Sequence, residues 1–396
     1  MTTTYDPRDK KYTDEHDLRL EMVRVFDVCN ECRQCVSLCP TFPALVSVVG
    51  SKKDGDAGRL TPGEQDEVAS KCFRCTMCSS VCPYTPDRHE QAIDFPRLID
   101  RHRAMQKKNN HWPLRSAFHH LVLGRGWTIP RLGRQKLSTW FARRNKPHQV
   151  EVALRVAVFP TCVVENVRPH IGNALIEVYE HNGIECSLVA PGRCCGAPAL
   201  QHGEMKTFLS TAAKNVRALV EVVRNGREIV IPNPACYSVI RRDYPHYLGT
   251  DDATLVASHT HESSDYLVRQ YGGQFHIKRD FVGSVATSIA HHVPLQSHAC
   301  GVGECGQVLM SMTGARVTDV VADSGREATW GLHDDFAPVA DELATELRQG
   351  VASVESEITV SSSPWGVGVL SAGSHEVLHP MEVLARAYGG TEQTVE

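Results

Sequence analysis

Apolar residues in the first hundred positions recur at helical spacing, whereas from Val152 onward they gather into short runs separated by helical periods. Leu18, Met22, Val25 and Phe26 share one face of a helix predicted over residues 14–28, which delivers Cys29 at its end. Asp54 to Gly58 reads as a loop. Thr61-Pro62-Gly63-Glu64 predicts another helix start, with Thr61 as N-cap, Pro62 in the first turn and Glu64 reaching back. Strands are predicted at Val152–Phe159, Glu185–Ala190 and Ile229–Ile231, with helices at Ile171–Asn182 and Gly203–Asn225. The layout then repeats, with strands at Val285–Val293, Arg316–Ala322 and Ile358–Val360. Strands alternating with helices predict mainly parallel sheets. The expected organisation is an α-helical domain over residues 14–100, a basic helical linker over 101–150, and an α/β domain of two related repeats, 151–275 and 280–391.

The helical part carries Cys29-Asn-Glu-Cys32-Arg-Gln-Cys35-Val-Ser-Leu-Cys39-Pro40, restated as Cys72-Phe-Arg-Cys75-Thr-Met-Cys78-Ser-Ser-Val-Cys82-Pro83. Both read C-x2-C-x2-C-x3-C-P. In this spacing three thiolates wrap one cubane and the fourth, kinked away ahead of proline, reaches a different one. The prediction is two interlocked [4Fe–4S] clusters, the first on Cys29, Cys32, Cys35 and Cys82, the second on Cys72, Cys75, Cys78 and Cys39. Zinc is the competing reading, but its structural sites favour paired C-x2-C units over triplets followed by C-x3-C-P.

In the first α/β repeat, Cys162, the Cys194-Cys195-Gly196 turn and Cys236 each follow a predicted strand, where open α/β sheets gather their ligands. Buried thiols in a tight turn are the plain alternative for the adjacent pair, which cannot easily form a relaxed disulfide with itself. The second repeat has Leu295 where Cys162 stands, Asp323-Ser324-Gly325 for Cys194-Cys195-Gly196, and Ser363 or Trp365 near Cys236. It keeps the fold signals and lacks the thiols. Cys300 and Cys305 remain there, with His291, His292 and His298 nearby, and are read as exposed or core thiols.

Composition adds three constraints. Hydrophobic residues at 42% and charged residues at 22% describe a globular chain. Thiols spent on metal-type clusters belong in a reducing compartment, and neither a secretory signal nor a membrane-length apolar run is visible, so the expectation is a cytoplasmic protein, at most peripheral on a membrane. Charge is uneven: Arg97 to Lys146 holds 13 of the 42 Lys and Arg residues against one acid, Asp100. Aromatics stand among these cations in His111-Trp112-Pro113, Trp127 to Pro130 and Lys136 to Arg144. Without a surrounding nucleic-acid module, this segment is read as a linker docking an acidic partner or the chain's own acids, and no nucleic acid is expected.

Two further strings are weighed and set aside. Gly301-Val-Gly303-Glu-Cys-Gly306 matches a dinucleotide fingerprint, but a loop separates it from the preceding strand. His259-Thr260-His261-Glu262 lacks the spacing of a zinc-protease helix, and its histidines are read as exposed or capping.

Taken together, these residues resemble the iron–sulfur family that joins a dicluster ferredoxin domain to cysteine-rich CCG repeats, which includes heterodisulfide-reductase-related proteins and the C subunits of anaerobic glycerol-3-phosphate dehydrogenase. The resemblance covers nearly the whole chain, with Asp94-Phe95-Pro96-Arg97, Thr329-Trp330-Gly331 and His379-Pro380 as further landmarks. It implies a third iron–sulfur cluster on Cys162, Cys194, Cys195 and Cys236. The family's full cysteine set ends in C-x2-C, and this chain has Asn233 at the first of those positions, which favours a four-ligand cluster. The implied function is electron transfer between a partner dehydrogenase or redox subunit and a quinone or other carrier, with no catalytic residue of its own. The alternative is a catalytic heterodisulfide or thiol reductase.

Overall fold

The computed structural model describes residues 5–52, 54–108, 131–144, 154–333, 336–373 and 376–390. His111-Trp112-Pro113 and Trp127 to Pro130 lie outside them. The chain divides into two compact units, residues 1–127 with 198–208 and residues 128–197 with 209–396.

The first unit is helical. α1 (Glu15–Cys32) begins at Asp14, whose carboxylate accepts the Asp17 N–H, and buries Leu18, Met22, Val25 and Phe26 as their spacing requires. It runs past the predicted end, so Cys29 and Cys32 sit in its last turn, and Arg33 stops it in the left-handed region at φ 57°. α2 (Thr41–Lys52) follows the first motif. α3 (Pro62–Ser70) starts with both halves of the capping box between Thr61 and Glu64. α4 (Met77–Val81) holds Cys78 and ends at Cys82, and α5 (Phe95–Lys108) crosses residue 100, where the sequence reading placed the start of the linker. Leu18, Phe26, Leu45, Val49, Val68, Leu98 and Ile99 form the core of the unit, against which the cysteines pack.

Three cations of the basic stretch are tied to this unit's own groups. Arg101 pairs with Asp17 at 2.8 Å and donates to the Tyr12 carbonyl at 3.0 Å, Arg97 pairs with Asp94 at 2.6 Å, and Arg103 donates to the Cys72 carbonyl. Asp100, the lone acid of the stretch, takes a buried two-pronged bond from Arg74 at 2.7 and 2.9 Å. In the second unit Arg144 pairs with Glu180 at 2.6 Å and lies 4.0 Å from the Phe141 ring. These cations therefore serve the chain's own acids and carbonyls.

The second unit contains two four-stranded, all-parallel sheets. β1 (Leu154–Val158), β2 (Ile184–Leu188), β3 (Glu228–Ile231) and β4 (Thr260–Glu262) are ordered β2-β1-β3-β4. β5 (Ser288–Pro294), β6 (Arg316–Ala322), β7 (Ile358–Ser361) and β8 (Val377–Leu378) are ordered β6-β5-β7-β8, the same topology over again. The fourth strands are additions to the sequence reading. β4 is made from the His259-Thr260-His261-Glu262 string, in which His259 and His261 each meet a Glu228 carboxylate oxygen at 2.9 Å. One apolar cluster, from Val156 and Ile171 to Val360 and Leu384, is shared by both repeats.

The N-caps after β3 and β7, Asn233 before Pro234 and Ser363 before Pro364, align the two repeats, and strand register carries the match across each sheet. Ala157 faces Ser187 and Ile229, and Ala290 faces Thr318 and Thr359. Counting from these pairs puts Cys162 on Leu295, Asn233 on Ser363 and Cys236 on Gly366. Gly196 and Gly325, at φ 91° and 69°, turn the loops after the second strands, and the loop of the second repeat is the shorter one.

Candidate iron–sulfur centres

Some of the motif cysteines stand next to unusual backbone. Arg33, Arg74 and Thr76, all interspersed among the motif cysteines, have φ of 57°, 61° and 64°, and Thr161 just before Cys162 has 65°. Side chains other than glycine avoid this region, so these four turns carry local strain, as do others such as Asp54 and Ala328.

The thiols of the first unit lie close enough for their charges to raise one another. Cys29 is pushed above the usual thiol range by burial, and next by the charges of Cys35, Cys82 and Cys32. Cys78 is raised by burial and next by Cys75, Cys72, Cys39 and Cys35. Cys35 is pushed to about 12 by burial, with Cys82 as its strongest charged neighbour, and Cys72 to about 11 by burial, with Cys39 opposing the relief that Arg103 brings. Cys82 raises Cys29 and Cys35 of the first motif, while Cys39 raises Cys35 as well as Cys72 and Cys78. A largely apolar cavity is lined by Cys72, Cys75, Cys78 and Cys39, with Leu38, Phe42, Phe73 and Phe95 around them. A cubane needs such a four-thiol cradle, so these residues fit the group.

Donors stand by to hold thiolates. The Tyr84 N–H points at Cys82 Sγ at 3.4 Å, and the Thr41 and Phe42 N–H groups draw Cys39 down against the burial that raises it. Among the described residues, no three His, Cys, Asp or Glu side chains form a group that could hold a single metal ion.

In the second unit the structure brings together all four expected thiols. Cys162 precedes its helix's second turn, Cys194 and Cys195 follow β2, and Cys236 sits in the short helix Pro234–Ser238 capped by Asn233. Cys195 Sγ lies 3.1 Å from Cys236 Sγ. Hydrogen bonds from Cys162 and Cys195, with the Gly196 N–H at 3.3 Å, draw the Cys194 thiol down, while Cys162 and Cys195 are raised by the same contacts and by burial. Tyr244, buried, donates to the Cys195 carbonyl at 2.7 Å, and Asn215 donates to the Cys194 carbonyl at 2.8 Å, bracing the turn. These two residues escaped the sequence reading because nothing in the local pattern marks them.

The remaining strings have other roles. Cys305 is a core thiol and Cys300 is half-buried beside Ser238 and Arg242. The helix Leu295–Ala299 stands between β5 and the Gly301-to-Gly306 string, so no tight strand-to-helix turn forms there.

With this geometry in place, comparison with known proteins gives two domain matches. Residues 22–109 match the Fer4-like domain of citrate utilization protein B, and residues 156–241 match the cysteine-rich domain CCG. The chain joins a Fer4-like helical domain to a CCG domain, which implies that it binds iron–sulfur clusters. Its homologues include the B subunit of the fumarate reductase (CoM/CoB) of Methanothermobacter marburgensis, 24% identical over 55% of this chain and 44% of that protein. Lactate utilization protein A of Bacillus velezensis is 24% identical over 53% of this chain and 87% of that protein. The C subunit of the anaerobic glycerol-3-phosphate dehydrogenase of Escherichia coli strain K12 is 23% identical over 66% of this chain and 65% of that protein. The match thus spans less than half the length of the Methanothermobacter protein. Among solved structures, a hypothetical protein from Helicobacter pylori aligns over 98% of this chain and 80% of its own at 10% identity and a TM-score of 0.47.

Proposed function

We propose that this protein is an iron–sulfur electron-transfer subunit that passes electrons between a partner dehydrogenase and a quinone or other carrier. The reading gives one [4Fe–4S] cluster to Cys29, Cys32, Cys35 and Cys82, a second to Cys72, Cys75, Cys78 and Cys39, and a third to Cys162, Cys194, Cys195 and Cys236. Clusters of this kind, when bound, supply one-electron exchange at potentials set by hydrogen bonds to sulfur, net charge and solvent exposure. The protein's part is to bury the thiols, exclude water and aim donors at them. Tyr84 and Gly196 offer backbone N–H groups to Cys82 and Cys194, and Arg103 places a buried cation beside Cys72.

The observation that best supports the reading is the cavity in which Cys39 of the first motif joins Cys72, Cys75 and Cys78 of the second. Two names among the homologues, a reductase component and a dehydrogenase component, support a redox partner. No helix among the described residues is long and apolar enough to cross a membrane; on this reading any membrane contact is at the periphery of the inner face.

Anaerobic purification with iron and labile-sulfide analysis tests this directly. About twelve irons per chain are expected for three cubanes, and about eight would leave only the ferredoxin pair. Signals that stay silent across a redox-titrated EPR series would overturn electron transfer. Disulfide turnover by the isolated chain, abolished by Cys195→Ser, would replace it with a thiol reductase.

A further inference from the structure

Asn233 is completely buried, and it caps the helix that carries Cys236 by accepting that residue's N–H on Oδ1 at 3.2 Å. This bond fixes which end of the carboxamide is oxygen, because only oxygen can accept from a backbone N–H. The other end, Nδ2, makes no hydrogen bond to any described residue. A buried amide donor left unsatisfied is costly, and native structures seldom tolerate one without a role. The group is held against the turn of Cys236, whose Sγ is 3.1 Å from that of Cys195. Cluster sulfurs are acceptors for such donors, and their hydrogen bonds raise the reduction potential by stabilising the added electron.

We infer that Asn233 Nδ2 donates to a sulfur of the third cluster, raising its potential, so that the amide replaces a possible fifth thiolate with a neutral donor. The inference rests on the proposed third cluster. The molecule supplies its own control: Ser363, at the corresponding place in the second repeat, caps its helix through a hydroxyl that accepts from the Trp365 and Gly366 N–H groups.

Asn233→Ser therefore keeps a cap and removes the amide donor, and Asn233→Asp keeps cap and shape while replacing the donor with an acceptor. Both are purified anaerobically, counted for iron and titrated potentiometrically by EPR, with electron–nuclear double resonance after exchange into D2O. The expected result is unchanged iron, loss of an exchangeable deuteron coupled to the third cluster, and a reduction equilibrium weakened about tenfold in the serine variant, about 59 mV for one electron, and further in the aspartate variant. An unchanged potential in both variants, or iron lost from the variants but retained by the parent, overturns the donor role. About eight irons in the parent itself would instead remove the third cluster, a failure distinguishable from the first.

Discussion

The two α/β repeats share one strand order and one register, yet only the first presents thiols at the ends of its strands. The second has not simply lost its ligands. Its corresponding space is filled by a bonded polar network: Ser324 and Ser363 donate to Glu327, Gln296 donates to Asp323 at 3.1 Å, and His292 meets Ser361 at 2.8 Å. Beside it His291 joins Asp319 and Ser362 at 2.7 Å each. Converging loops at strand ends demand polar partners whatever their chemistry, because their buried groups must be satisfied. One repeat meets that demand with thiols and the other with hydroxyls, imidazoles and carboxyls.

The largest effect should come from breaking the first repeat toward the second. Cys195→Ser imitates Ser324 and is expected to lose about four of about twelve irons, with the ferredoxin pair retained. Iron analysis beside EPR integration checks this, and full retention of iron would show that Cys195 is not a ligand.

The reverse change should fail for a steric reason. Gly366 occupies the place of Cys236, and a Cβ there would lie 2.4 Å from Ser361 Oγ and 2.6 Å from His292 Nδ1. Gly366→Cys is therefore expected to bind no added iron and to lose about 1–3 kcal/mol of stability in denaturant titration. A stable variant that gained iron would mean the second repeat is still an open site.

The filled network should also leave a mark on pH dependence. Burial, then the charge of Asp323, raises the Glu327 carboxyl above its ordinary 4.5, and burial likewise raises Asp323. A carboxyl with a raised folded pKa binds more protons in the native state, so its contribution is full below pH 4.5 and is lost as pH rises through the folded value. Glu327→Gln keeps the acceptor for Ser324 and Ser363 without ionising. It should match the parent near pH 5 and be more stable by about 1 kcal/mol near pH 8, read by urea unfolding at both pH values. Equal slopes in the two proteins would exclude Glu327 as a source of the pH dependence.

How far this contrast was legible in the sequence follows from what each signal depends on. Short apolar runs between turn signals exposed the three longer strands of each repeat, and the 3.6-residue period exposed α1, because burial imposes both patterns locally. β4 and β8 are only three and two residues long, too short for a period to register. Cysteine spacing made the iron–sulfur character of the helical unit readable, since thiols have few other uses in such runs. The substitutes in the second repeat could not be read that way, because Ser, His and Asp occur in every loop and acquire meaning only when strand register brings Ser362, His291 and Asp319 together. Arg101 and Arg103 were hidden for a related reason: a cation buried by tertiary bonds has the same letter as one in solvent.

The smallest effect concerns the thiols the second repeat retains. Leu295, not Cys300, stands in the place of Cys162, and the helix Leu295–Ala299 separates Cys300 from the end of β5. Cys300 is instead half-buried, raised by burial and eased by the charge of Arg242 and a bond to Ser238. Cys300→Ser preserves a small hydrogen-bonding group in that setting, so iron content should equal that of the parent and stability should stay within about 0.5 kcal/mol. Any iron loss would place a ligand in the second repeat at a position its register does not share with the first, and the contrast between a thiol-bearing repeat and a polar-filled one would then have to be redrawn.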